Sequence, residues 1–375
     1  MNALSEEDFE ALAFFPKLRE VNLGYVREAA AVLRLREQYP ELSVSYRIML
    51  GTAAVLPGQE TLVANNADLS QLSAILPLMT NLKEIRLTGQ LPEPLALREL
   101  MDQYPDIRFS GNPVLGGIVT DLSTEKLDLT GAQLESVEEL YQWLPCYPNL
   151  NWVELGDSTL ENQELDLLNK SFRDIVVAWN VSIGPIRVST AITHFMPYQY
   201  GYINLPTSAF YNLRYCTRIK MMDMGHCELR SVDFVEYMPD LEFLLLCENF
   251  IPDAEAISKC TNLRYLELFL TGVTDFYPLL NLTELEDLNL SWDGYPAENV
   301  YVFPEDLTAL YQLPGLHRLW MPLNGMYPDE QAEVRNMLPG TTVVFPRKSS
   351  TGVGWRYCPS YYAQRDILGY FYMYK

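Results

Sequence analysis

Of the three histidines in the chain, His194, His226 and His317, one has a nucleophile beside it: His226 is followed by Cys227. A thiol activated by an imidazole needs sulfur and nitrogen within hydrogen-bond reach. Neighbouring residues where a strand runs into a turn point apart, so this pair is not expected to act as a dyad. The sequence holds no His-Glu-x-x-His zinc spacing, no Gly-x-Ser-x-Gly elbow, no phosphate loop and no Gly-x-Gly-x-x-Gly fingerprint. No catalysis, metal or cofactor is expected. The remaining chemistry is that of binding. Trp152, Phe243, Tyr265, Phe269, Trp292 and Trp320 recur among Glu154, Glu242, Glu267, Glu286, Asp287 and His317. Aromatic side chains rimmed by charge have the composition of interface anchors.

The spacing of these residues follows a repeat. Ile219, Leu241, Leu263 and Leu285 stand 22 residues apart, and each opens the phrase apolar-x-x-apolar-x-apolar, as in Leu263/Leu266/Leu268. Eight residues after each opening come Cys227, Asn249, Thr271 and Asp293, and ten residues after come Leu229, Ile251 and Val273. Offset nineteen carries Met238, Cys260 and Leu282. Such a period marks units that bury their apolar edges only by stacking on one another. The phrase alternates as a strand does. The small polar residue at offset eight is placed to satisfy the backbone of the buried turn that follows.

This pattern resembles the leucine-rich repeat family, and its 22-residue spacing is similar to the class found in internalins. The resemblance implies an α/β leucine-rich-repeat solenoid of horseshoe form. Its parallel β-sheet would line the concave face, with short helices or extended segments on the convex face. Looser copies occur at Leu18/Val21/Leu23, Leu82/Ile85/Leu87, Leu150/Val153/Leu155 and Leu316/Leu319/Met321, with Asn324 again in the polar slot. An insert near 292–303 lengthens one interval to 31 residues. Gln38–Leu42 parallels Gln103–Ile107, a shift of 65, so the first part reads as longer and irregular repeats. Further strands are expected at Val44–Tyr46, Leu62–Ala64, Ile107–Phe109, Leu127–Leu129, Ile175–Val177 and Ile203–Leu205. The expected organisation is a solenoid over 1–345, irregular over 1–205 and regular over 206–345. It would comprise about fifteen coils in one stack. An aromatic cap over 346–375 would fold back on the last coil at Val343–Phe345.

The formal net charge of −22 argues against nucleic acid or an anionic membrane as partner. No apolar run is long enough for a membrane-spanning helix. Cys216, Cys227 and Cys260 fall in repeat slots and read as small core residues rather than disulfide partners. No polar cap precedes Leu18, which suggests a trimmed product without its signal segment. Strand alternation sets Trp152, Glu154, Glu242, Phe243, Tyr265, Glu267, Phe269, Asp287, Trp292, His317 and Trp320 on or beside the concave face. That makes it the candidate ligand surface, with Phe243 and Tyr265 as neighbours and an acidic line beside them. The leading reading is a non-enzymatic protein-binding scaffold of bacterial origin, at the cell surface or secreted, with a basic protein partner as the charge-matched case. The alternatives are a glycan- or cell-wall-binding protein using exposed aromatics, and an oligomerisation module built on the tail.

Overall fold

The computed structural model describes residues 11–27, 29–66, 69–201, 205–291, 306–322, 324–346 and 354–368. Trp292, the 292–303 insert and most of the strand expected at Ile203–Leu205 lie outside the described residues. The chain divides into two units, Met1–Val177 and Ala178–Lys375.

In the first unit each expected phrase is a strand. Glu20–Val26 pairs in parallel with Ser43–Leu50, and Thr61–Asn65, Glu84–Thr88 and Arg108–Ser110 form a second parallel sheet. Lys126–Asp128, Trp152–Glu154 and Val176–Ala178 make a third. Two antiparallel additions carry no repeat signal: Ala53–Val55 turns back on Ser43–Leu50, and Val114–Leu115 pairs with Ile118–Val119. The latter hairpin turns through Gly116 and Gly117, both at positive φ, where a Cβ on Gly116 would sit 2.9 Å from that of Ala132.

The second unit starts with an antiparallel pair, Asn180–Ile183 with Ile186–Ser189. A seven-stranded sheet of parallel pairs follows, in chain order: His194–Phe195, Met221–Asp223, Phe243–Leu245, Tyr265–Glu267, Asp287–Asn289, Arg318–Trp320 and Thr342–Val344. Its middle row runs Phe195, Met222, Leu244, Leu266, Leu288, Leu319 and Val343 in unbroken register. Met222, Leu244, Leu266, Leu288 and Leu319 have no exposed surface, and the opening residues Ile219, Leu241, Leu263 and Leu285 have none either. Val235, Ile257 and Leu279, from the returning segments, close the interior on its other side.

Coil length sets which helix lies opposite the sheet. Where consecutive middle residues are 22 apart, the return is a five-residue 3₁₀ helix: Asp233–Tyr237, Glu255–Lys259 and Tyr277–Asn281. Where they are 23 to 26 apart, as in Val21 to Val44, Ile85 to Phe109 or Leu127 to Val153, an α-helix forms. A 3₁₀ helix rises about 2.0 Å per residue against about 1.5 Å for an α-helix, so the shorter coil spans its return with fewer residues.

After each strand of the regular coils the backbone turns through a left-handed residue at the same offset: His226, Glu248 and Leu270, with φ of 58°, 56° and 56°. The buried turn is then tied down by the polar slot. Asn249 Oδ1 accepts from Leu229 N–H at 2.8 Å, while its Nδ2 donates to the Met224 and Leu246 carbonyls at 2.8 and 2.7 Å. Thr271 Oγ1 makes the matching bond to Leu268 O, and Cys227 Sγ donates to Gly225 O at 3.4 Å.

Removing the Asn249 amide would strand one buried N–H and two carbonyls, each at a typical cost of 1–3 kcal/mol. Asn249→Ala is expected to lower stability by about 3 kcal/mol in urea denaturation. A loss below about 1 kcal/mol would show that this side chain does not hold the turn.

Candidate functional site

Two rows of side chains point away from the interior of the seven-stranded sheet. One runs Met221, Phe243, Tyr265, Asp287, Arg318 and Thr342, and the other Asp223, Leu245, Glu267, Asn289, Trp320 and Val344. Phe243 and Tyr265 stack with ring centroids 4.3 Å apart. The chain's own segment from Gly354 to Leu368 lies across these rows. Trp355, with no exposed surface, packs against Tyr265 and Trp320 at centroid separations of 5.1 and 5.9 Å. Tyr361 packs against Phe243 and Tyr265, each at 6.3 Å. Met196, Met221 and Leu245 complete the apolar cluster, with Val344 and Cys358 at its margin.

Polar bonds knit the same contact. Glu267, entirely buried, accepts at Oε1 from Trp355 Nε1 (2.8 Å), Tyr265 Oη (2.8 Å) and Arg356 Nε (2.9 Å), while Arg356 Nη2 donates to Oε2. A buried carboxylate is tolerated only with such full pairing. Arg318 donates to Asp287 Oδ1 at 2.8 Å and to the Trp355 carbonyl at 2.8 Å, and its guanidinium lies 4.0 Å from the Trp355 ring centroid. Ser360 Oγ donates to Asp287 Oδ2 at 3.1 Å. Asp223 accepts from Gly225 N–H at 2.8 Å. Burial pushes its carboxyl up to about 6, an effect that Arg356 opposes and Glu267 reinforces. Burial likewise raises the Cys247 thiol, beside Arg356 at 3.7 Å, and the Tyr265 phenol.

The open aromatic face expected from strand alternation is therefore corrected. Phe243, Tyr265, Glu267 and Trp320 are all at most 3 % exposed, because apolar side chains in those rows gain more by burial under Trp355 and Tyr361 than by facing water, and Phe269, beyond the strand, is buried as well. Each carboxylate of the expected acidic line has a basic partner. Glu242 pairs with Lys220 (2.9 Å), Glu286 with Arg264 (Nε at 3.0 Å), Asp287 with Arg318 and Glu267 with Arg356. His317 is exposed. Trp152 and Glu154, in the first unit, are partly buried beside Lys126 and Asp128. The described part of the tail, expected on the end of the last coil, lies on the sheet face. Cys247 is buried. His226 faces Glu248, with Nδ1 to Oε2 at 3.1 Å, whereas Cys227 is buried and its thiol is pushed up to about 12. Sequence reasoning placed Asp223 and Arg318 on this face by strand alternation but missed Arg356 and Ser360. The one signal for them was the Trp-Arg-Tyr run of the tail.

Among the described residues no helix is long and apolar enough to cross a membrane, and no group of three or more His, Cys, Asp or Glu is arranged to hold a metal ion. No family model matches the chain, and no curated protein does. Solved structures similar to it include internalin C2 of Listeria monocytogenes, 19 % identical over 61 % of this chain and 76 % of that one, with a TM-score of 0.28. Internalin F of the same organism is 14 % identical over 92 % and 84 %, with a TM-score of 0.28. A leucine-rich repeat protein of Leptospira interrogans is 14 % identical over 92 % and 93 %, with a TM-score of 0.30. The leucine-rich repeat build of the second unit stands on its own register: one parallel strand per coil, a buried middle row and an asparagine-tied turn.

Asp223 gives the covered face a pH dependence. Its folded carboxyl keeps the proton to about pH 6 against an ordinary value of 3.8, so its contribution is complete below pH 4 and is lost as pH rises through 6. Asp223→Asn should remove that slope. Relative to the variant, the wild type is expected to lose on the order of 2 kcal/mol between pH 4 and pH 7, partial solvent contact having reduced the figure. Parallel stability profiles for the two proteins would rule the assignment out.

Proposed function

We propose that this chain is a non-enzymatic protein-binding scaffold, a leucine-rich repeat solenoid whose ligands dock on the faces of its parallel sheets. The observation that carries this reading is the seated segment. The face of the second unit already receives a stretch of polypeptide through one tryptophan, one arginine and one tyrosine. Interfaces concentrate their energy in such buried aromatic and arginine anchors.

The first unit supports the same reading with a different surface. Val63 is 55 % exposed in register with Arg86, Arg108 is exposed on the next strand, and Lys126 is exposed in the third sheet. Glu84 bridges Arg86 (3.0 Å) and Arg108 (2.7 Å), which lowers its pKa. A face of mixed charge with an apolar spot suits a protein partner. The glycan reading has less support, since the stacking platforms Tyr265 and Trp320 are covered. We place the protein at the cell surface or among secreted proteins on the resemblance of its repeat to internalins, which cell fractionation tests.

A photo-crosslinking residue at Val63 or Trp152 is expected to trap a protein partner from the native surroundings of the chain. The same residue at Leu167, exposed on the Asn162–Ser171 helix, should not. Adducts at Leu167 alone, or at no position, would sink the sheet-face reading.

A further inference from the structure

We infer that the sheet face of the second unit is a recognition site for a peptide of another protein that presents an aromatic residue directly followed by an arginine and a second basic residue nearby. The segment Gly354–Leu368 is then a tethered occupant that such a peptide replaces. The inference rests on the protein-binding reading above and adds the ligand class and the means of control.

Three observations carry it. The segment is an addition to the repeat and not part of it: the sheet order ends at Thr342–Val344, and Gly354–Leu368 contributes no strand. Its hold on the sheet comes from side chains. Trp355, Arg356 and Tyr361 are inserted, while Tyr357 is 62 % and Ile367 47 % exposed. A few buried anchors with exposed intervening residues is the pattern of a bound peptide.

The seat also has a chemical grammar. Tyr265, Trp320 and the Arg318 guanidinium form a box around one indole, and Glu267 receives both the indole N–H and the neighbouring guanidinium. One carboxylate thus reads two consecutive side chains. A lysine in place of Arg356 lacks the planar fork that donates to both Glu267 oxygens.

Charge gives an outside peptide its advantage. The sheet side of the contact holds Asp223, Glu267 and Asp287 against Arg318, and the tail supplies Arg356. Asp223 accepts from the N–H of Gly225, two residues on, and meets the tail's Arg356 through charge alone, so a ligand with a further cation can donate to a carboxylate to which no described residue of the tail donates. Such a gain is needed, because a short tether gives the tail an effective concentration in the millimolar range.

The test uses the full chain and a labelled synthetic peptide of residues 354–368 carrying Cys358→Ser, followed by fluorescence anisotropy. The doubly substituted chain Trp355→Ala/Arg356→Ala, shown folded by circular dichroism, should bind this probe at least tenfold more tightly than wild type does. Changing the probe's Arg356 to Ala, or Glu267→Gln in the doubly substituted chain, should weaken binding at least tenfold, and adding a second arginine to the probe should strengthen it. Equal binding by the two chains, indifference to Arg356 in the probe, or self-association of the substituted chain in sedimentation without probe binding would overturn the inference. If the double substitution does not fold, a protease site placed at 348–352 is cut after folding. Exchange of the freed tail for probe supports the inference, and a tail that does not exchange in excess probe overturns it. Crosslinks at Val63 without exchange would fail this inference alone, and exchange without crosslinks would fail the scaffold reading alone.

Discussion

A three-residue strand offers one side chain to the interior and two to the outside, so a coil of this chain can bury apolar surface only by setting that one residue against its neighbours. The unbroken row from Phe195 through Leu244, Leu266 and Leu288 to Val343 meets this constraint. The turns of the regular coils follow from holding it in register. The left-handed residue at His226, Glu248 and Leu270 turns the chain out of the strand at a fixed point. Asn249, Thr271 and Cys227 then satisfy the backbone so exposed. Because each coil repeats both devices, the two outer residues of every strand are also brought into rows.

What stands in those rows decides whether a face stays open. In the first unit the outer positions include Lys126, Asp128, Arg86 and Arg108, whose charges are content in water. In the second unit they include Met221, Phe243, Leu245, Tyr265 and Trp320, which together would make an apolar patch of a size soluble chains seldom leave bare. Burying them requires material from elsewhere, and Trp355 and Tyr361 provide it. The cover in turn needs Glu267 to be neutralised, which Arg356 does from the residue next to the indole.

This hierarchy explains what could be read in the sequence. The middle row, the 22-residue spacing and the pairing of Phe243 with Tyr265 are periodic, and a period is visible in one dimension. Asn249 stood out because its slot recurs. The coil-length rule was less visible, since one or two extra residues decide between a 3₁₀ return and an α-helical one. The hairpins at Val114–Val119 and Asn180–Ser189 belong to no period. The seat of the tail was hidden for the same reason. Glu267 and Trp355 lie 88 residues apart, and their contact occurs once. Strand alternation gave the outward direction of Tyr265 and Glu267 correctly, yet direction says nothing of what lies beyond a side chain.

The polarity of the cover bears on its purpose. A lid whose task is to keep water from an aromatic row is best made of apolar residues, because a buried ion pair seldom stabilises more than the packed hydrophobic groups that could replace it. Here the centre of the contact is a carboxylate with four donors, an arginine and an indole held by their N–H groups. Such an arrangement discriminates among occupants, since removing any one donor leaves a buried charge short of a partner. It also leaves Asp223 beside the arginine with its carboxyl raised by burial. Specificity gained at the cost of stability is what a seat that exchanges peptides, as inferred above, requires.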